Sequence, residues 1–202
     1  MSNPRKQRQK ERDKTIHRVR VVRFLEGKRI YLREVRPSDV NERYYRWMND
    51  PEVTRFLENR FYPNAIENLR DYVACKLGDR DNIFLAIVLK EGDRHIGNIK
   101  LGPIQSIHRI ADIGLLIGEK DCWGKGVATE AIQLVSEYAF NVLNLHKVTA
   151  GCYGPNEGSA RAFQKAGFVV EGIRKGQYYS NGVYVDDILL GLIRPEGKRS
   201  TR

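Results

Sequence analysis

The sequence has no apolar run approaching the roughly 20 residues of a membrane span, so no membrane partner is expected. Cysteine is scarce. Cys75, Cys122 and Cys152 stand alone, an odd count with no pair at metal-ligand or redox spacing. That excludes a disulfide framework and a cysteine-bound metal centre, and a reduced, cytoplasmic protein with no metal is the expectation. The opening MSNPRKQRQKERDK is charged and has no apolar stretch behind it, so it does not read as a secretory signal. Internal repeats are lacking too, and nothing marks a second domain. The 202 residues suffice for one domain with a real core.

What the chain does have is positive charge, unevenly spread. Residues 1–23 hold nine Lys or Arg against two acids, most of the net charge of +10. Such a tail invites contact with nucleic acid, a ribosome or a membrane surface. It has no aromatic interleaving and no apolar face before Ile16, which favours a solvated terminus instead. The expected organisation is a basic tail over 1–15, one domain over 16–194 and a short basic tail over 195–202.

Periodicity gives the elements. Alternation from His17 and again over Arg29–Arg33, with Glu26-Gly27-Lys28 between, predicts an N-terminal hairpin. Ser38 or Asp39 caps a helix whose Val40, Tyr44 and Trp47 share one face. Asn49-Asp50-Pro51 breaks it, a short helix follows, and Pro63-Asn64 opens another. Ile83–Leu89, His95–Leu101 and Arg109–Ile117 read as an antiparallel meander. A helix over Gly126–Asn141, a strand over His146–Tyr153 and a helix from Asn156 to Gly167 come next. Strands Phe168–Ile173 and Val183–Ile193 close the chain. The order predicts a mixed α/β (α+β) sheet with helices on both faces.

One stretch asks for a reason: GEKDCWGKGVATEAIQL, residues 118–134. A strand runs into a glycine-rich turn and straight into an amphipathic helix. Glycine costs about 1 kcal/mol in a helix relative to alanine, so Gly124 and Gly126 need a purpose. A helix N-terminus carries unsatisfied N–H groups and partial positive charge, and glycines let an anion approach them. Lys125 adds charge. The turn fits neither the Walker pattern nor the dinucleotide fingerprint. Backbone physics therefore points to a diphosphate cradle or, more plainly, a tight turn.

At these residues the chain resembles a family. Trp123-Gly124-Lys125-Gly126-Val127-Ala128 is similar to the acetyl-CoA motif Q/R-x-x-G-x-G/A of the GNAT N-acetyltransferases, with Trp123 in the Gln/Arg position. Thr129-Glu130-Ala131 is similar to the branch holding the ribosomal-protein alanine acetyltransferases. Asn156-x-x-Ser159 with Phe163-Gln164-Lys165-Ala166-Gly167-Phe168 resembles the family's N-x-x-S/A…K-x-GF helix. Leu32-Arg33-Glu34-Val35 and Trp47–Val53 resemble its front half. The resemblance spans about residues 28–194. It implies a mostly antiparallel sheet with two splayed central parallel strands.

It also implies acetyl-CoA as co-substrate. The backbone of Leu115, Leu116 and Ile117 would pair with the pantetheine, and N–H groups from Trp123 through Val127, Ala128 and Thr129 would hold the pyrophosphate. Asp112 stands where relatives often carry a glutamate base; it is either that base, acting through water, or an edge-strand Asp. Phe163 replaces a tyrosine that serves many relatives as the acid. Ser159 would then protonate the thiolate, or simply cap its helix. Asn156 is a cap, a pantetheine partner, or both. Cys122 and Cys152 lack the His-Asp arrangement of a covalent route.

The front half normally forms the acceptor side. Its Arg55, Glu58, Arg60 and Tyr62 look like those of relatives acting on nucleotide-linked amino sugars, or they form a solvated helix pair. Asp186, with Asp187, would attract a cationic amine or keep an edge strand from aggregating. The expected activity is acetyl transfer to a small-molecule amine, an amino-sugar nucleotide first and a polyamine behind it. A protein N-terminal acetyltransferase docked on a ribosome is the alternative, and a non-catalytic acyl-CoA or nucleic-acid binder the third. A homodimer stays open.

Overall fold

The computed structural model describes residues 22–195, so the basic tail over 1–15, residues 17–21 of the first expected strand and residues 196–202 lie outside the described residues. The strands are β1 (Leu25–Glu26), β2 (Ile30–Glu34), β3 (Ile83–Leu89), β4 (Arg94–Leu101), β5 (Ile110–Ile117), β6 (Lys147–Tyr153), β7 (Val169–Ser180) and β8 (Val183–Ile193). The helices are α1 (Glu42–Asn49), α2 (Pro51–Thr54), α3 (Ile66–Lys76), α4 (Val127–Asn141) and α5 (Glu157–Lys165). No helix among the described residues is long and apolar enough to cross a membrane.

The strands form one sheet in the order β1-β2-β3-β4-β5-β6-β8-β7. Neighbours are antiparallel except β5 and β6. That parallel pair holds together only from Ile110 to Asp112, opposite Lys147 to Thr149. Beyond it β5 stays with β4 as far as Ile117, and β6 stays with β8 as far as Tyr153. The two strands part, and backbone groups in the middle of the sheet lose their ladder partners. Buried amides need partners, so the gap is a place for an extended, amide-bearing molecule.

Each face is covered. On one, α4 and α5 pack Val127, Ala131, Ile132, Val135 and Phe163 against Ile87, Ile99, Ile113 and Val148. On the other, α1 and α3 pack Tyr44, Trp47, Leu69 and Val73 against Tyr31, Ala86 and Val88. The face expected for α1 is the buried one, but its cap is neither Ser38 nor Asp39. Pro37–Asp39 is a 3-10 turn, and Asn41 caps α1 by accepting from the N–H groups of Arg43 and Tyr44. Asp39 is engaged elsewhere, taking both guanidinium nitrogens of Arg33 at 2.7 and 2.8 Å.

Trp47 ties this layer to the start of the glycine-rich turn. Its indole N–H donates to Glu119 at 2.9 Å, and its ring lies where a Cβ on Gly118 would come within 2.1 Å of Cδ2. Gly118→Ala must therefore push the ring out of its packing. We expect a loss of about 1–3 kcal/mol, read as a lower melting temperature. An unchanged melt would show that Trp47 moves freely.

Candidate active site

Strand pleating decides which side chains reach the α1/α3 face. On β6, Val148, Ala150 and Cys152 turn into the α4/α5 core, so Thr149, Gly151 and Tyr153 turn to the opposite face. Asp112 pairs with Thr149 and Asp187 with Tyr153, which puts both carboxylates on that face. A cleft of about 1000 Å³ runs here and through the gap between β5 and β6. Lys100, Asp112, Leu115, Leu116, Tyr153 and Asp187 line it, together with Asn156, Ser159 and Phe163 from the α5 side.

Asp112 is half-buried, and burial raises its pKa above the usual carboxylate range. The Thr149 hydroxyl donates to it at 3.0 Å and opposes the rise, as does Lys100, while the charge of Asp187 adds to it. A carboxylate so placed is a better proton acceptor than an exposed one. Ser159 lies across the gap. Its N–H donates to Asn156 Oδ1 at 3.3 Å, which caps α5, and its side chain contacts Cys152. Burial holds the Cys152 thiol up at about 11, with the charge of Asp187 adding to the shift. A thiol in that state is a poor nucleophile at neutral pH. Phe163 is 1% exposed and packs edge-on against Phe168, so it serves the core as well as the cleft wall.

The glycine-rich turn stands at the rim. Gly124 and Gly126 have φ of 70° and 77°, left-handed conformations that only glycine adopts cheaply. Gly126 is the N-cap of α4 and offers no side chain, so the N–H groups of Val127, Ala128 and Thr129 are not capped by it. The Trp123 indole donates to the Ile117 carbonyl at 2.8 Å, fastening the turn to the end of β5. The Thr129 hydroxyl reaches the Ala162 carbonyl of α5 at 3.4 Å. The Arg29 guanidinium donates to the Lys125 carbonyl and, at 3.0 Å, to Glu130. No local pattern in the sequence marks Arg29, because its partners lie 96 and 101 residues away.

The acceptor-side residues divide. Glu58 lines the cleft and accepts a short hydrogen bond from the Tyr153 hydroxyl. Arg60 donates to that same hydroxyl at 3.1 Å, to the Leu57 carbonyl at 2.8 Å and to the Tyr179 carbonyl at 2.9 Å. Arg55 is exposed over the Phe56 ring, and Tyr62 is 75% exposed; neither lines the cleft. Asp186 points to the opposite face and is held by Lys175 at 2.8 Å. Its neighbour Asp187 is the one that reaches the cleft, and Tyr153 joins it as a residue that sequence patterning does not single out.

Residues 29–169 match the acetyltransferase (GNAT) domain. The chain is 32% identical to probable N-acetyltransferase YjcK of Bacillus subtilis (strain 168), over 87% of this chain and all of that one. Over 44% of this chain and 47% of the relative it is 36% identical to spermidine N(1)-acetyltransferase of Escherichia coli (strain K12). The fold aligns with spermidine N-acetyltransferase of Vibrio cholerae, solved with CoA and spermine, at a TM-score of 0.74 and 23% identity, covering 83% and 96% of the two chains. The glycine turn, the splayed strands and these matches agree: the chain belongs to the GNAT N-acetyltransferase family and is an acyltransferase.

Proposed function

We propose that the protein moves the acetyl group of acetyl-CoA to a primary amine of a small, cationic acceptor. The observation that carries this is the charge of the cleft: its six charged lining side chains are four carboxylates and two cations. A negative, partly desolvated wall favours a cationic acceptor. The spermidine relatives point the same way. An amino-sugar nucleotide asks instead for cations free to grip a diphosphate. Arg60 is committed to three oxygens and Arg55 lies outside the cleft, so that acceptor loses its support.

The glycine turn and the orphan N–H groups of α4 suit the pyrophosphate, and the unpaired amides of β5 suit the pantetheine. An amine with a pKa near ~10 arrives as ammonium. Asp112 takes one proton, directly or through water, and passes it to solvent. The free amine attacks the thioester carbonyl, the C–N bond forms and the C–S bond breaks. The second amine proton goes to the departing thiolate, with Ser159 beside it as the donor or relay.

The test is acetyl transfer, read as thiol release, to 1,4-diaminobutane, an amino-sugar nucleotide and a peptide N-terminus. The diamine is expected to lead in kcat/KM by about tenfold or more. A lead for either of the others would replace the proposed acceptor.

A further inference from the structure

Asp187 is a buried carboxylate with few partners. It is 1% exposed, lines the cleft, and its Oδ1 has no hydrogen-bond partner among the described residues. Its Oδ2 lies 3.5 Å from Arg174, at the outer edge of a hydrogen bond, and that arginine side chain is 59% exposed. Burying a carboxylate without full compensation is costly. Asp186 shows what a carboxylate with only a surface role does in the same strand: it takes the Lys175 ammonium at 2.8 Å and the Gly176 N–H at 3.0 Å. The chain also makes room for Asp187. Gly151 lies beside it, and a Cβ there would stand 3.3 Å from Oδ1. The Tyr178 hydroxyl faces it as well, its pKa raised by burial, then by the charge of Asp187, and to a smaller extent by a side-chain hydrogen bond with it.

Resting on the reading of the acceptor as a small cationic amine, we infer that Asp187 seats a second cationic group of that acceptor, which takes over the contact Arg174 now makes. Asp112 and Asp187 flank β6 from neighbouring strands on the same face. Their backbones stand about 16 Å apart, two strand spacings across the sheet and four residues along β6, and Asp187 leans back over Gly151 to shorten the gap between the carboxylates. An extended diamine of four or five carbons bridges that gap, with its reacting nitrogen toward Asp112 and its far ammonium on Asp187. A monoamine of equal length leaves Asp187 without a partner. Asp187 is thus the residue that distinguishes diamine from monoamine.

The experiment compares kcat/KM for 1,4-diaminobutane and butylamine in the wild type and Asp187→Asn, with thermal melts of both proteins. It adds calorimetric binding of the diamine to the CoA-saturated protein. The diamine-to-monoamine ratio is expected to fall about tenfold or more in the variant, the worth of one charge-assisted contact. The variant is expected to melt no lower than the wild type, because it removes a buried, under-partnered charge. An unchanged ratio overturns the inference, and so does a lower melting temperature with equal losses on both amines. If the wild type acetylates neither amine, the acceptor class falls, and binding still reads the seat. Diamine binding weakened in Asp187→Asn then upholds it; equal binding, or none by the wild type, overturns it.

Discussion

Gly126→Val is expected to weaken acetyl-CoA binding about 100-fold or more, with the rest of the fold retained. Gly126 holds φ at 77°, where a β-branched residue is a genuine outlier. Its new Cβ would also meet the Arg29 guanidinium at 3.2 Å, the group that fastens the turn through the Lys125 carbonyl. The turn must leave the left-handed region, and the first-turn N–H groups of α4 swing with it. Gly124→Ala is the control. Its φ is 70°, but a Cβ there meets nothing within 4 Å. It suffers only the strain of about 1–2 kcal/mol, some of it relieved by adjustment into open space. Gly126→Asn tests the cause, since asparagine tolerates the left-handed region and should recover much of the affinity. Titration calorimetry with acetyl-CoA reads all three. Equal affinity in wild type and Gly126→Val would remove the turn from the binding site.

Much of this was legible because it is local. Ile83–Leu89 and Val183–Ile193 appear in the structure with the bounds their apolar runs predict. The glycine turn is visible because two glycines directly before a helix mark a backbone that must turn left-handed or admit a close neighbour. What failed to show is long-range or two-sided. β7 runs on to Ser180, past the expected end at Ile173, because its register slips between Arg174 and Tyr178, with Gly176 at a φ of 58°, and that bulge erases the period of two. Asp39 reads as a cap until Arg33, six residues back, claims it. Asp186 and Asp187 are indistinguishable in a sequence. Strand alternation puts one on each face, and only the assembled sheet tells which face holds the cleft.

Asp112→Asn is expected to lower kcat/KM about a hundredfold or more, the usual share of a positioned base. Its signature lies in pH. The base works ionised, so activity falls as pH drops through its raised pKa, giving an acidic limb above the ordinary carboxylate range. The asparagine variant loses that limb. The groups facing Asp112 set its position, and they act in opposite directions. Lys100 on β4 and the Thr149 hydroxyl on β6 lower the pKa, and Asp187 on β8 raises it. Lys100→Met must therefore move the limb to higher pH, and Asp187→Asn must move it lower. Stability follows with a definite sign. A carboxyl whose folded pKa is raised stabilises the fold fully below its unfolded value of about 3.9, and that contribution is lost as pH rises through the folded value. At neutral pH the ionised Asp112 is a burden to the fold, so Asp112→Asn should melt higher than the wild type there, and the gain should vanish in acid. A merely structural aspartate would show the reverse, a lower melt with the acidic limb left in place. Activity lost while stability is gained marks a charge kept for its chemistry.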